Sequence, residues 1–451
     1  MTMDMTKGSS MRLILGFAVP LFFGFLFQQF YNLVDTAIVG RFLGVDELAS
    51  VGATGSINFL IVGFCMGICN GFSIPVSHKF GAGDYEGVRE YVANCAWLGI
   101  GFAVVLTALT TWFCRDILVI MRTPDNILED AYIYILIIFL GIPSVFLYNT
   151  VSGIIRALGD SRTPVVFLVL SSLINIGLDL FFIISLKLGV AGAALATVIA
   201  QAISGVGCFL FMMRRFEVLH LKKNEWRPDR HKMLVLCGMG IPMGLQYSIT
   251  AIGSVVLQSA TNTLGSAAVA SVTAGTRVSC FLACPFDALG STMATYGGQN
   301  VGAGKTERLD QVLKSCILIG AVYSVLAFLI VLFGGEKLAG VFVESGETMI
   351  IGNVKLFLLF NTAAYFPLAL VNIVRFLIQG MGFPGFAILA GVLEMIARSV
   401  AGAVLVPILG FTGVCLGSPT AWILADAFLI PAYFIVRNRL RKRMATGNTP
   451  M

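Results

Sequence analysis

The sequence predicts an all-α polytopic membrane protein of twelve transmembrane helices, arranged as two homologous six-helix lobes related by an axis along the membrane normal. Three observations carry that expectation. Of the 451 residues, 57% are hydrophobic and only 12% charged, with a mean hydropathy of +0.89. A soluble domain carries about 25% charged residues to cover its surface, so lipid must be the solvent around most of this chain. The apolar residues fall in continuous runs of about the 20 residues that cross a bilayer as a helix, where barrel strands would alternate over about ten. The third observation is a repeat at an offset of 221 residues, set out below.

The runs place the helices in order. The first lobe takes its six from 13–39, 53–77, 93–114, 130–155, 164–186 and 190–213. Charge-free stretches at 13–34, 48–77, 96–114, 131–155 and 188–213 anchor five of them. The second lobe takes 233–261, 271–297, 315–334, 354–378, 386–408 and 412–436. Residues 233–276 carry no charge at all, so only Asn262, Thr263, Gly265 and Ser266 mark the turn between the seventh and eighth helices. The lobes are therefore 1–213 and 233–451, joined by a basic linker at 214–232 that contains Pro228.

At the 221-residue offset, Leu43-Gly44 recurs as Leu264-Gly265, Ala49-Ser50-Val51 as Ala270-Ser271-Val272, and Gly81-Ala82-Gly83 as Gly302-Ala303-Gly304. Cys95 recurs as Cys316, Leu188-Gly189 as Leu409-Gly410, Gly192 as Gly413 and Leu195 as Leu416. Seven matches on one offset indicate two homologous halves. Six helices per half is an even number, so both halves enter the membrane in the same sense, as in the parallel-repeat class of secondary transporters. The two Gly-Ala-Gly segments lack the Gly-Lys-Ser/Thr ending of a phosphate loop and read as chain reversals. The chain carries no nucleotide-binding motif, which leaves an ion gradient as the energy source.

Charge sets the topology. The termini and even-numbered connections hold 21 Lys and Arg residues, including seven between Arg214 and Lys232, whereas the odd connections hold five: Arg41, Arg115, Arg122, Lys187 and Lys337. Basic residues near helix ends are retained on the cytoplasmic side. Both termini and the linker are thus expected in the cytoplasm of a multi-pass protein of the cell (inner) membrane. The basic linker needs no nucleic-acid partner. The first apolar run exceeds the core of a signal peptide, so the first helix is retained. Ten cysteines, nearly all inside apolar runs, read as reduced, buried small residues. Cys65/Cys69 and Cys280/Cys284 sit at i,i+4, but no His or carboxylate nearby completes a metal set.

Polar residues inside the apolar helices carry the chemistry, because an ionisable group in mid-membrane usually faces the bundle interior or a water-filled path. Gln28, Tyr31, Asn32 and Asp35 form one polar stripe on the first helix, at i, i+3, i+4 and i+7. Asn175 and Asp179 share a face of the fifth helix. Asp179 lies eight residues before Lys187 and Thr197 eight after Gly189, which sets both about 12 Å from the turn. Asp35 is about 9 Å from the same outer side, so Asp35, Asn175, Asp179 and Thr197 are placed to meet. Two carboxylates in such a setting repel, and uptake of a proton relieves the repulsion. The same oxygens suit Na⁺. Pro20 adds a bend about four turns before Asp35.

The stretch Gln28-Gln29-Phe30-Tyr31-Asn32-Leu33-Val34-Asp35, followed by Val39-Gly40-Arg41 and Leu43-Gly44, resembles the first-helix signature of the multidrug and toxic compound extrusion (MATE) family. The Pro20 to Asp35 spacing, the Asn175/Asp179 pair and Thr197 resemble the branch with a cation site in the N-terminal lobe. The resemblance implies H⁺- or Na⁺-coupled efflux of small amphipathic, often cationic compounds by alternating access. It implies no cofactor and no enzymatic reaction. Pro20 would be a hinge, Tyr134 and Asn149 would join the polar network, and Gln28, Tyr31 and Asn32 would face the drug cavity. Membrane lipids are the surrounding partner, and a monomer is expected to be the working unit.

One departure concerns the second lobe. Where another branch uses a glutamate in the seventh helix, this chain offers Thr250, so a cation site built on that carboxylate is not expected. The second lobe retains Asp287, Glu394, Arg398 and Asp426. Glu394 and Arg398 are i,i+4 and are expected to pair. The alternative function is a lipid-linked precursor flippase of the same architecture. It would need a strongly basic cavity, and Arg277, Arg375 and Arg398 are the main intramembrane arginines. An intramembrane enzyme is disfavoured, because His78, His220 and His231 lie in or near cytoplasmic loops.

Overall fold

The structure, a computed structural model, describes residues 3–121, 123–222, 224–343 and 347–445. Arg122 and Lys223 of the charge count, and the outermost residues of both expected lobes, lie outside the described residues. The described chain is helical throughout: α1 (Ser10–Phe42), α2 (Val45–Gly81), α3 (Tyr85–Trp112), α4 (Cys114–Ile120), α5 (Asp125–Leu140), α6 (Ile142–Ala157), α7 (Arg162–Leu180) and α8 (Gly189–Arg215) are followed by α9 (Arg230–Asn262), α10 (Ser266–Gly302), α11 (Glu307–Ala339), α12 (Thr348–Ala363), α13 (Tyr365–Gly380), α14 (Pro384–Val400), α15 (Val406–Leu409) and α16 (Phe411–Ala445). Ten spans are singly long and apolar enough to cross a membrane, and two bent pairs pass the same test as broken spans, which brings the number to twelve among the described residues. The protein is a multi-pass membrane protein.

The helices outrun their apolar cores. α3 begins at Tyr85 rather than 93, and α11 at Glu307 rather than 315. Hydropathy registers only the stretch immersed in hydrocarbon, whereas the backbone ladder continues into the interface, where water and headgroups solvate exposed Glu86 and Glu307. Asp84 starts α3 by accepting from Gly87 N at 2.9 Å. The turn after Asn262 falls where the polar cluster indicated, with α10 opening at Ser266.

Two expected single helices are broken. α5 and α6 meet at 44°, and α12 and α13 at 49°. Pro143 and Pro367 stand in the first turn of the second piece in each pair. A proline there has no N–H to extend the preceding ladder, so the chain restarts at an angle. Such a break leaves hydropathy unchanged and is invisible to a reading by apolar length.

The backbone repeats what the sequence repeats. Glycines with positive φ recur as Gly44 and Gly265 (124° and 92°), Gly83 and Gly304 (73° and 72°), Gly159 and Gly382 (86° and 90°), and Gly189 and Gly410 (60° and 58°). Only glycine adopts these angles without a Cβ penalty. At both Gly-Ala-Gly turns the chain reverses: Gly83 N bonds to Phe80 O and Asp84 N to Lys79 O, as Gly304 N does to Val301 O and Lys305 N to Asn300 O. A π-helical turn follows α7 at Phe181–Ser185 and α14 at Ala401–Leu405.

The chain divides into two compact units: Met1–Asp4 with Phe23–Gly244, and Met5–Phe22 with Leu245 onward. One division, between Asp4 and Met5, precedes α1; the other two fall inside a continuous helix, two residues after Pro20 in α1 and two after Pro242 in α9. The first unit therefore contains the whole of 214–232, and the second takes the first turns of α1.

In the first unit, α2 and the opening half of α9 cross through facing glycines. A Cβ on Gly67 would lie 2.6 Å from Gly244 Cα, and one on Gly71 would lie 2.5 Å from Gly240 Cα. Small residues four apart on both helices permit this backbone approach. The linker is tied down as well: Arg89 grips Glu225 through Nε and Nη2, both at 2.8 Å, Asp229 N donates to Asn94 Oδ1 at 2.9 Å, and Trp97 Nε1 donates to Trp226 O at 3.0 Å. In the second unit the N-terminal segment docks on the end of α10 and the start of α11. Met5 N donates to Gln299 Oε1 at 2.9 Å, Lys305 Nζ to Thr6 O at 2.8 Å and Arg308 Nη2 to Gly8 O at 2.9 Å.

Candidate functional site

A polar cluster occupies the interior of the first unit, supplied by α1, α5, α7 and α8. On α7, the i,i+4 spacing turns Asn175 and Asp179 inward together, and they are 2% and 0% exposed. Asn175 bridges three helices. With its amide oriented so that both ends are satisfied, Nδ2 donates to Asp179 Oδ2 at 2.8 Å and to Tyr31 Oη at 3.1 Å, while Oδ1 accepts from Thr197 N at 2.9 Å. The Thr197 hydroxyl lies 3.2 Å from that oxygen and 3.1 Å from Ala193 O, and its single proton goes to one of them. Tyr31 also reaches Thr197.

Asp35 and Asp179 face each other at hydrogen-bonding distance. Two carboxyl groups in that contact hold one proton between them. Each keeps its Oδ1 buried and without a partner, so the cluster has acceptor capacity to spare. Tyr134, from α5, is 8% exposed and interacts electrostatically with both carboxyl groups. A π-helical turn begins at Phe181, two residues beyond Asp179. Such turns often mark functional positions, because they shift the side-chain register.

Tyr31, Asp35, Tyr134, Asn175, Asp179 and Thr197 thus stand together, although they come from four helices. Gln28 and Asn32 share the inward stripe of α1, half-buried and without a side-chain hydrogen bond among the described residues. Asn149 is elsewhere. It lies on α6 beyond the 44° break, and its Nδ2 donates to Val145 O of its own helix at 2.8 Å. Pro20 is 15 residues before Asp35, and α1 runs through it without a break.

The second unit holds a charged centre that sequence spacing described only in part. Glu394 and Arg398 on α14 do approach, at 3.5 Å, but Glu394 makes its hydrogen-bonded ion pair with Arg375 of α13. Spacing along one helix predicts only partners on that helix, so a partner on α13 escaped it. Arg398 Nη1 donates to Thr250 O at 3.3 Å, and Gln379 Nε2 to Gln246 Oε1 at 2.5 Å. Asp426 of α16 is 6% exposed, interacts electrostatically with Arg375 and Glu394, and keeps Oδ1 unpartnered. Two arginines here surround Glu394, which makes the centre unsuited to a metal cation. Thr250 contributes its carbonyl and no charge.

Asp287 differs from all of these. It is exposed, on α10, and no described residue pairs with it. A charge in mid-membrane facing lipid costs about 2.5–3.5 kcal/mol on insertion scales, so the surface it faces is polar or wet.

The comparisons agree with this architecture. The MatE family model matches twice, over residues 20–181 and 242–404, once in each half. The chain is similar to "Probable multidrug resistance protein YoeA" of Bacillus subtilis, 28% identical over 359 residues covering 78% of each chain. It is similar to "Multidrug export protein MepA" of Staphylococcus saprophyticus, 23% identical with 96% of each chain covered. A solved structure described as the outward-facing conformation of a multidrug resistance MATE family transporter shares the fold, with a TM-score of 0.90 at 22% identity over 97% of this chain and 98% of that one.

Proposed function

Since the chain belongs to the multidrug and toxic compound extrusion family, a family of transporters, we propose that it exports small amphipathic, often cationic compounds in exchange for H⁺ or Na⁺. The observation that carries the coupling is the contact of Asp35 with Asp179, with one unsatisfied oxygen on each. With one shared proton the pair carries one negative charge, and a second bound cation removes it. The ion enters from the outer side and draws Asp35 of α1 to Asp179 of α7. Drug loading from the cytoplasmic side follows ion release. Asn175, Thr197, Tyr31 and Tyr134 hold the two carboxyl groups in register, Gln28 and Asn32 extend the polar stripe toward the substrate, and Pro20 is the point at which α1 flexes. Alternating access needs such a hinge, because a shift at the ion site must move helix ends.

The names of the relatives support the substrate class, and the linker charge supports a cell-membrane protein with cytoplasmic termini. The protein works as a monomer with no cofactor. A lipid-linked precursor flippase fits less well, because Glu394 offsets the arginines of the second unit that a pyrophosphate head group would need. The deciding experiment is efflux of ethidium from proteoliposomes under an imposed pH gradient and, separately, a Na⁺ gradient. Wild type should respond to one of them and D35N to neither. Export by D35N at the wild-type rate would refute the coupling site.

A further inference from the structure

The lipid-facing helices of the second unit show what a membrane surface looks like in this protein. Along the middle of α11, from Leu318 to Phe333, the exposed residues are Leu318, Val322, Val325, Leu326, Leu329, Ile330, Leu332 and Phe333, all apolar; the exposed polar and charged residues lie only toward its ends. The exposed face of α10 is different. Ala270, Thr273, Arg277 and Asp287 are exposed and, at 100° per residue, fall within one sector of the helix, flanked by Thr276. Two exposed charges and two threonines on one face of a span do not belong in hydrocarbon. The exposed parts of that face, on either side of half-buried Cys280 and buried Cys284, meet water.

Asp287 is the deepest charge on it. It stands 21 residues after Ser266 and 15 before Gly302, or about 31 Å and about 22 Å from the helix ends. Its direction is fixed by its neighbour. Phe286 is fully buried, with its ring centroid 5.3 Å from both Tyr323 and Tyr365, and the Tyr323 hydroxyl donates to Leu282 O at 2.8 Å. One step of a helix, about 100°, carries Asp287 away from that aromatic clamp and onto the open face. The carboxylate therefore waits in a wet, weakly polar part of the membrane without a counter-charge from the described protein. A partly desolvated carboxylate of this kind attracts an organic cation more strongly than one in bulk water.

We propose that Asp287 is a substrate-recognition residue, supplying the counter-charge for the positively charged group of an amphipathic organic cation. The inference rests on the efflux reading above and names the group that reads the charge of the substrate. Ion uptake stays with Asp35 and Asp179, so substrate charge and coupling charge are sensed in different units of the chain. Arg277, ten residues nearer the start of α10, lies on the same face about 15 Å away and holds a second cation off that end of the path.

The test compares wild type, D287N and D287E with two probes, ethidium as the cation and an uncharged fluorophore of similar size, by equilibrium binding to purified protein and by transport. D287N should raise the KM and Kd for ethidium by about tenfold, the loss of one charge-assisted contact, while binding of the uncharged probe stays within about twofold. D287E should restore most of the ethidium affinity. Unchanged ethidium affinity in D287N would overturn the assignment. So would an equal loss for both probes, which marks a structural role, or a displaced pH profile with KM unaltered, which marks an ion site. If wild-type vesicles export no ethidium, the efflux reading falls, and the binding comparison still decides the role of Asp287.

Discussion

The ion cluster of the second unit makes the sharpest stability prediction. Arg375 and Arg398 side chains are 8% and 9% exposed, and Glu394 between them is 3% exposed. Glu394→Gln keeps the shape and an acceptor oxygen but leaves two buried guanidinium groups, of which only Arg375 still faces a carboxylate, Asp426. Breaking a buried pair by removing one partner costs about 3–5 kcal/mol. The retained oxygen and the Arg398 bond to Thr250 O place the loss near about 3 kcal/mol. With about 2.1 cal/mol/K of unfolding entropy per residue, the apparent melting midpoint should fall by about 3 °C if the whole chain unfolds together, and by about 7 °C if roughly 200 residues do. The double variant R398M/E394Q should recover at least half of that drop, because it leaves Arg375 opposite Asp426. Thermal unfolding in detergent, read by intrinsic fluorescence, measures wild type, both single variants and the double variant in one buffer. A midpoint for E394Q within about 1 °C of wild type would refute the argument, as would single effects of R398M and E394Q that simply add.

Other expectations follow from geometry just as local. D179N should abolish gradient-driven dye export while leaving ethidium affinity within about threefold, because it removes an ion ligand and not the substrate contact; export at the wild-type rate would contradict this. Gly71→Ala forces a Cβ to within 2.5 Å of Gly240 Cα and should destabilise the α2–α9 crossing by about 1–3 kcal/mol, whereas Gly55→Ala, with nothing within 4 Å of the added carbon, should not, and equal melting of the two variants would count against the crossing. The hydrogen bonds from Arg89 hold the Glu225 carboxyl below its ordinary 4.5, so the linker tether is fully present above that pH and is lost as pH falls through the lower folded-state value. Hydrogen exchange over residues 217–230 should therefore be faster in E225Q than in wild type at pH 7, with the difference closing at strongly acid pH; a difference that persists there would show that the carboxylate is not the tether.

Much of this protein was legible in the sequence because lipid is an unforgiving solvent. Twelve spans, their order, the turn after Asn262 and the twofold repeat all followed from apolar length and matched residues, and the paired positive-φ glycines confirm the repeat at the level of the backbone. The breaks after Leu140 and Ala363 did not follow, because a proline-driven kink leaves composition unchanged. Within the first unit, depth counted from the loops was enough to bring Asp35, Asn175, Asp179 and Thr197 to one level, since helical rise is constant. Spacing could not say that Asn175 would be the bridge, that Asn149 would satisfy itself on its own helix, or that Glu394 would prefer Arg375 on α13 to Arg398 on its own. Periodicity within one helix fixes which face a residue occupies. Which neighbouring helix meets that face depends on close approaches such as Gly71 against Gly240, on the clamp around Phe286 and on where Pro20 and Pro242 divide continuous helices between two units, and those contacts exist only once the chain is packed.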